Sequence, residues 1–309
     1  MSSELTRVYL SRLCTPDEAT TLVGDAVPDR DPESIRPGTV VCDDISGEPV
    51  AAYLTNPDPG PLRRAVLAMD CSSGTQRQSV YRSKSKTFGY APRRPVTRRE
   101  SCTMTTTGRD TPEIEAVLER YADVFTPMLE EVDPALVATA RAETAEVLPD
   151  WKLGTSKLWT SGIVNDTAQL PYHRDGFNFP TWSAMPVLRR GTRGGYLHLP
   201  EYDLVLPCAD STVTMFEGFR LVHGVTPIRR VVKGEGYRIS VVYYALRGMK
   251  NCLEAAQEAA YGRRKRTERE AEMARRLAAG DRGIPGNTDP RGAVKRMQQK
   301  PDGQGTVWQ

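Results

Sequence analysis

The sequence predicts a mainly β protein with supporting helices, an α+β chain built on a double-stranded β-helix (jelly-roll) core. Three observations carry that expectation. From Leu153 onward, short β-prone runs recur about every ten residues, near 155–165, 183–189, 194–199, 203–206, 211–216, 221–228 and 236–246. Their separators are turn chemistry, such as Arg190-Gly191-Thr192-Arg193-Gly194 and Pro207-Cys208-Ala209-Asp210. Helical periodicity is confined to the segments before and after this series, so the helices support the sheet and do not alternate with its strands. An eight-stranded jelly roll accommodates such a series.

The elements follow in order. Thr15-Pro16-Asp17-Glu18 combines a hydroxyl cap, a proline in the first turn and acids near the positive end of the dipole, so a short helix runs to about Val23. Gly38–Cys42 and Pro49–Leu54 are β-prone and flank Asp43–Glu48, whose Asp and Gly residues favour a tight reversal; together they read as a hairpin. Prolines 57, 59 and 61 interrupt the chain before a helix over Leu62–Met69. Thr111-Pro112-Glu113 is a second helix start, followed by Ile114, Val117, Leu118, Tyr121, Val124 and Phe125 on one face. Pro127 is expected to end or kink this helix, and Asp133-Pro134 opens another that closes near Leu148-Pro149. Beyond Met249, Leu253–Ala279 reads as a charged helix, and residues 280–309 carry too little apolar surface to order themselves fully. Three regions result: 1–110, mixed α/β with a basic segment; 111–249, helical support and the double-stranded β-helix core; and 250–309, the charged helix and tail.

Net charge is only +3, unevenly spread. Residues 1–60 hold four basic against eleven acidic side chains, whereas residues 61–100 hold ten against two. Between Arg77 and Arg99 stand eight basic residues and no acid, interleaved with Tyr81, Phe88 and Tyr90. That mixture suits a phosphate backbone and unstacked bases, or a solvated loop. The six cysteines stand far apart without a Cys-x-x-Cys pair, which points to reduced thiols in an intracellular, soluble protein. No stretch is apolar and long enough to span a bilayer, no secretory leader is evident, and no obligate protein partner is implied.

The chemistry concentrates at Tyr172-His173-Arg174-Asp175. On a strand successive side chains alternate faces, so His173 and Asp175 project together and Arg174 points away. His223 would complete two histidines and one carboxylate on one face of a metal, with positions left for substrate and O2: the facial triad of non-haem Fe(II) oxygenases. The chain has only three histidines, and His198, in Tyr196-Leu197-His198-Leu199, is expected to pack and not to ligate. Arg238 and Ser240 share a face of the apolar run Tyr237–Leu246. A guanidinium fork captures carboxylates bidentately, so the distal carboxylate of 2-oxoglutarate is the expected ligand there, with the hydroxyl assisting.

These residues resemble the ten-eleven-translocation/J-binding-protein class of Fe(II)- and 2-oxoglutarate-dependent nucleobase oxygenases, and most of all its small stand-alone TET-like members. The resemblance covers His173-x-Asp175, Gly-Gly-Tyr-Leu-x-Leu-Pro-Glu at 194–201, His223, and Gly-Tyr-Arg-Ile-Ser-Val-Val-Tyr-Tyr-Ala at 236–245. Val41-Cys42-Asp43-Asp44 through Val50-Ala51-Ala52-Tyr53-Leu54 extends it to roughly residues 38–250. It implies iron ligation by His173, Asp175 and His223, co-substrate binding by Arg238 and Ser240, and a flipped base stacked on Tyr244. Leu246 stands where small TET-like members carry a base-reading histidine, and Asn178 where they carry an acid; an Asn amide serves cytosine and thymine alike. The implied reaction is oxidation of the methyl group of 5-methylcytosine in double-stranded DNA to 5-hydroxymethylcytosine and further. Thymine hydroxylation, or oxidation of a small molecule or protein side chain, is the alternative. Extruding a base needs phosphate contacts, for which Arg93, Arg94, Arg98, Arg99, Arg189, Arg190 and Arg193 are the candidates.

Overall fold

A computed structural model of the chain describes residues 5–71, 84–94 and 99–280. Its centre is one nine-stranded mixed sheet, in the order β1-β2-β3-β11-β7-β14-β6-β4-β5. The strands are β1 (Thr6–Leu10), β2 (Thr39–Asp43), β3 (Pro49–Thr55), β4 (Lys84–Ala91), β5 (Thr103–Met104), β6 (Ser161–Asp166), β7 (Ser183–Arg190), β11 (Thr212–Phe216) and β14 (Tyr237–Tyr244). A smaller sheet, β10-β9-β12, faces it, built from β9 (Leu197–Leu199), β10 (Leu204–Leu206) and β12 (Gly224–Val225). The pair β8 (Thr192–Gly194) and β13 (Ile228–Arg230) extends the barrel wall. Two opposed sheets with helices on the outer face make the double-stranded β-helix expected, and strands from both 1–110 and 111–249 share the large sheet.

The two faces of that sheet explain where function sits. Ile239, Val241 and Tyr243 of β14 pack outward into a core with Leu118, Tyr121, Phe125 and Leu129 of α4 (Pro112–Val132). The strand's alternation turns Arg238, Ser240 and Val242 the other way, toward the interior where Met185, Val187, Leu197 and Leu199 pack. Two polar residues are thus committed to a dry interior by the apolar residues between them.

Local expectations fared differently. The capping box at Thr15 forms, with Glu18 accepting from the Thr15 backbone N–H at 2.7 Å, although α1 spans only Pro16–Thr20. The hairpin is present as β2 and β3. Helix α2 (Pro59–Ala68) starts at the prolines instead of after them, because proline is favoured in a first turn. Pro127 does not end α4; the helix continues to Val132 because Phe125, Leu129 and Val132 are buried on either side of the one lost hydrogen bond. Helix α3 (Thr106–Asp110) and α5 (Pro134–Glu143) complete the support, and α6 (Ala255–Ala278) is the charged helix.

The basic segment needs correction. Its middle is β4, paired with β6, where Phe88 packs into the core against Tyr243 with no exposure, while Tyr90 packs edge-on against Trp151 at 5.4 Å. Neither ring is a free stacking surface. Tyr81 and Arg98, and residues 281–309, lie outside the described residues. Reduced thiols throughout are likewise overturned: Cys102 and Cys252, 150 residues apart, form a disulfide, packed with Trp151, Phe179 and Met249; Cys14, Cys42, Cys71 and Cys208 are free. Among the described residues no helix is long and apolar enough to cross a membrane.

One buried acid gives a stability prediction. Glu115 of α4 is 4 % exposed, accepts from the Gly89 N–H at 2.6 Å and leaves its second oxygen unpartnered. Burial pushes its pKa up from 4.5 to about 7. The folded state then holds a proton that the unfolded state releases, so stability present below about pH 4.5 is lost as pH rises to about 7. Glu115→Gln keeps the acceptor and removes the titration. It should raise stability at pH 8 by on the order of 2 kcal/mol and flatten the melting temperature between pH 5 and 7. Equal pH slopes in both proteins would refute the assignment.

Candidate active site

His173 and His223 meet as directly opposed residues of an antiparallel bridge, exchanging backbone hydrogen bonds of 2.9 and 3.0 Å. That register brings their rings together, centroids 4.2 Å apart and planes tilted by 51°. Each ring is oriented identically: His173 Nδ1 lies 2.8 Å from the Pro171 carbonyl and His223 Nδ1 2.9 Å from the Leu221 carbonyl. With each Nδ1–H donating to a carbonyl, both Nε2 lone pairs are left facing the same space, the usual arrangement of metal-binding imidazoles. Asp175 joins them, its oxygens 3.9 Å from His173 Nε2 and 4.0 Å from His223 Nε2. The ligand atoms of the three lie within 4.8 Å of one another, the one such group among the described residues.

The backbone around the triad is built to leave this space open. Asp175 N–H donates to the Gly218 carbonyl at 2.8 Å, and a methyl on Gly218 would stand 2.6 Å from Asp175 Oδ2 and 3.2 Å from His223 Cε1. Only glycine lets that segment approach the carboxylate so closely. Arg174 points away as expected, donating to the carbonyls of Arg220 (2.8 Å) and Pro16 (2.9 Å), so it ties α1 to the His173–Asp175 segment. His198 lies outside the triad. It is 4 % exposed, with Nδ1 2.6 Å from the Tyr172 hydroxyl and Nε2 3.1 Å from Asp203, and burial lowers its pKa to about 4, keeping it neutral.

Arg238 is 1 % exposed, and its Nε and Nη2 have no hydrogen-bond partner. Burial lowers its pKa, and the Cys208 thiol is its hydrogen-bonding neighbour. Gly195 again makes room, since a methyl there would lie 2.6 Å from Arg238 Cδ. Arg189 is the cross-strand partner of Arg238, held by the carbonyls of Thr192 (2.7 Å) and Cys208 (3.4 Å) and lying over the Tyr196 ring at 5.7 Å. Two opposed guanidiniums, one with orphaned donors, are unfavourable alone and suit an anion with two oxygens. Ser240, 4 % exposed, follows on the same face.

The other candidates divide. Asn178 and Leu246 are brought together by an antiparallel bridge beside the triad, and Tyr244 ends the strand leading to Leu246. Arg93 is committed to holding α6: it pairs with Glu258, donates to the Asn251 carbonyl at 2.8 Å and lies over Tyr261 at 4.8 Å. Arg94 and Arg99 bridge each other through the backbone, and Arg99 donates to the Pro92 carbonyl at 3.2 Å. Arg190 ends β7, and Arg193 stands in β8 just past the turn at Gly191. The opposite end of β7, Ser183, pairs with Phe216, whose ring is 4.9 Å from His223, so this turn lies at the barrel end away from the triad. Sequence reasoning missed Gly195 and Gly218 as enabling residues and Arg189 as a neighbour of Arg238; the glycines gave a signal, the arginine pairing required the register.

The barrel thus brings together a His-Asp-His group that could hold a metal ion and a buried guanidinium with orphaned donors. Among solved structures the chain is similar to NgTET1 in complex with 5mC DNA, at 16 % identity and a TM-score of 0.52, covering 77 % of this chain and 94 % of that one. It also matches a 2OG-Fe(II) oxygenase family oxidoreductase from Burkholderia pseudomallei (13 % identity, TM-score 0.39, 80 % and 100 % covered). A third match is the viral collagen prolyl hydroxylase vCPH from Paramecium Bursaria Chlorella virus-1 in its 2OG complex (10 %, 0.37, 63 % and 96 %). No family model and no curated protein matches the chain.

Proposed function

We propose that the protein is an Fe(II)- and 2-oxoglutarate-dependent dioxygenase that oxidises the methyl group of 5-methylcytosine in duplex DNA, with the base extruded into the barrel mouth. The observation that carries the reading is the triad with its shared, carbonyl-fixed Nε2 orientation, combined with a buried arginine that lacks partners. His173, Asp175 and His223 would hold the metal, and Arg238, beside Ser240, the distal carboxylate. Bound iron, 2-oxoglutarate and O2 supply the oxidising power for removing a methyl hydrogen. The chain's own residues do the rest: Gly218 and Gly195 keep both subsites open, the apolar interior excludes water, and Asn178 with Leu246 edges the place where a base would enter. Likeness of fold to NgTET1 supports the nucleobase reading, as does the sequence resemblance.

Incubating 5-methylcytosine, unmodified and thymine-only duplexes with iron and 2-oxoglutarate, then resolving nucleosides by mass spectrometry, tests it. Oxidised products from the methylated duplex alone are expected; hydroxymethyluracil from the thymine duplex would transfer the assignment to thymine, and succinate without oxidised nucleoside would remove DNA. Phosphate contacts should come from the barrel end that holds the triad. Arg220, exposed beside Gly218, and Lys250, exposed after Leu246, are placed there. Arg220→Gln with Lys250→Gln should flatten the slope of log affinity against log salt by about 0.9 for each phosphate that is no longer neutralised. Arg190→Gln with Arg193→Gln should leave it unchanged, and the reverse pattern would place DNA at the other end.

A further inference from the structure

An exposed aromatic side chain sits between a metal ligand and a base-edge candidate, on a backbone that does not move freely. Asp175-Gly176-Phe177-Asn178 is a tight turn, closed by the Asn178 N–H donating to the Asp175 carbonyl at 2.9 Å. Both carbonyls at its tip are held by one residue of the distant strand end: Arg247 N–H donates to Phe177 O at 3.0 Å, and the Arg247 guanidinium to Gly176 O. That guanidinium lies over the Phe219 ring at 5.0 Å, next to Gly218. The Asn178–Leu246 bridge fixes the turn's trailing side. Despite this, Phe177 is 74 % exposed, and a methyl on Gly176 would meet nothing within 4 Å. A ring that could have packed is instead held out into solvent at the rim of the triad.

Single exposed apolar residues are ordinary on protein surfaces. Position and rigidity separate this one from the others. Two residues before it Asp175 is placed for metal, and one residue after it Asn178 turns inward, so a base held at Asn178 leaves its vacancy in the duplex beside Phe177. An unpaired stack gap is closed most favourably by an apolar or aromatic wedge, as in proteins that unstack base steps. A wedge is effective when its backbone is already fixed, because no ordering entropy is then lost on binding.

We infer that Phe177 is the wedge that enters the duplex and fills the gap left by the extruded base, a positioning residue for duplex substrates that makes no contact with the reacting methyl group. The inference rests on the proposed action on DNA and extends it to how the base is drawn out. Single-stranded substrate has no gap to fill, so the role is specific to duplex.

The test compares a 5-methylcytosine oligonucleotide as a matched duplex and as the single strand, measuring oxidised nucleoside for wild type, Phe177→Ala and Phe177→Leu. Extrusion from a duplex costs a few kcal/mol, so Phe177→Ala should lower kcat/KM on the duplex about tenfold or more. On the single strand it should stay within about twofold, and 2-oxoglutarate turnover without DNA should not change. Phe177→Leu, still apolar, should recover most of the duplex activity. Equal losses on both substrates would make Phe177 a structural or base-stacking residue and overturn the wedge, as would an unchanged duplex rate. Wild type inactive on both strands would fail the DNA reading itself, and the wedge with it; the two failures are therefore distinguishable.

Discussion

His223→Ala is expected to abolish iron-dependent succinate formation in a protein that remains folded. The imidazole is 5 % exposed and offers one of three converging atoms that could hold a metal, while the bridge to His173 is made by the backbone, which alanine retains. Disturbing only a ligand's outer partner typically costs 10–100-fold in metal affinity, so deleting a ligand should cost more than about 100-fold. His173→Ala and Asp175→Ala should behave alike. Gly218→Ala is the sharper variant: every ligand is present, yet the added methyl would stand 2.6 Å from Asp175 Oδ2, and affinity should fall by about 10–100-fold. Titration with iron under anaerobic conditions, alongside circular dichroism, measures both. His198→Ala, which removes a buried Tyr172–His198–Asp203 link, should lower stability and keep metal binding. Iron binding that survives His223→Ala but is lost in His198→Ala would overthrow the triad.

Arg238→Lys should weaken 2-oxoglutarate binding by roughly ten- to a hundredfold with iron affinity intact. The ammonium keeps the charge and loses the planar fork, and a charge-assisted hydrogen bond contributes about 1.5–3 kcal/mol. Arg238→Met separates recognition from stability. Without co-substrate, wild type carries a buried guanidinium with two orphaned nitrogens, so replacing it by an apolar side chain of similar length should leave the melting temperature equal or higher. Adding 2-oxoglutarate should then raise the melting temperature of wild type and not of the variant, because a ligand stabilises only the state that binds it. If Arg238→Met melted lower and still responded to 2-oxoglutarate, the co-substrate would have to sit elsewhere.

How much of the fold and site is legible in the sequence depends on how far apart the deciding residues lie. His173 and Asp175 are two apart on an extended segment, and alternation alone puts them together. Arg238 and Ser240 obey the same rule, reinforced by Ile239, Val241 and Tyr243, whose apolar character assigns the opposite face to the helices. The capping box at Thr15 and the reversal between β2 and β3 are equally local. By contrast β4 reads as a basic loop because its burial does not alternate: Phe88 shares a face with Lys84 and Lys86, and Ser85 and Ala91 are buried on the other. Only pairing with β6 shows that Phe88 is core and not a stacking platform.

Charge was the least legible property. Arg93 looks like its basic neighbours in sequence, yet Glu258, 165 residues on and 1 % exposed, neutralises it and docks α6. Arg190 and Arg193 follow Arg189 closely in sequence, yet the register gives Arg189 to the neighbourhood of Arg238 and leaves the other two at the barrel end away from the triad. By itself the sequence determined the β-helix class and the shared faces of His173 with Asp175 and of Arg238 with Ser240, because strand periodicity relates neighbours two apart and so needs no tertiary knowledge; that His223 meets His173 was decided by a bridge between segments fifty residues apart. Tertiary structure alone decided which arginines are free, that Gly195 and Gly218 open the two subsites, that Cys102 meets Cys252, and that Phe177 is held outward. Those outcomes depend on segments tens to more than a hundred residues apart, whose meeting is set by sheet register and packing rather than by any local preference.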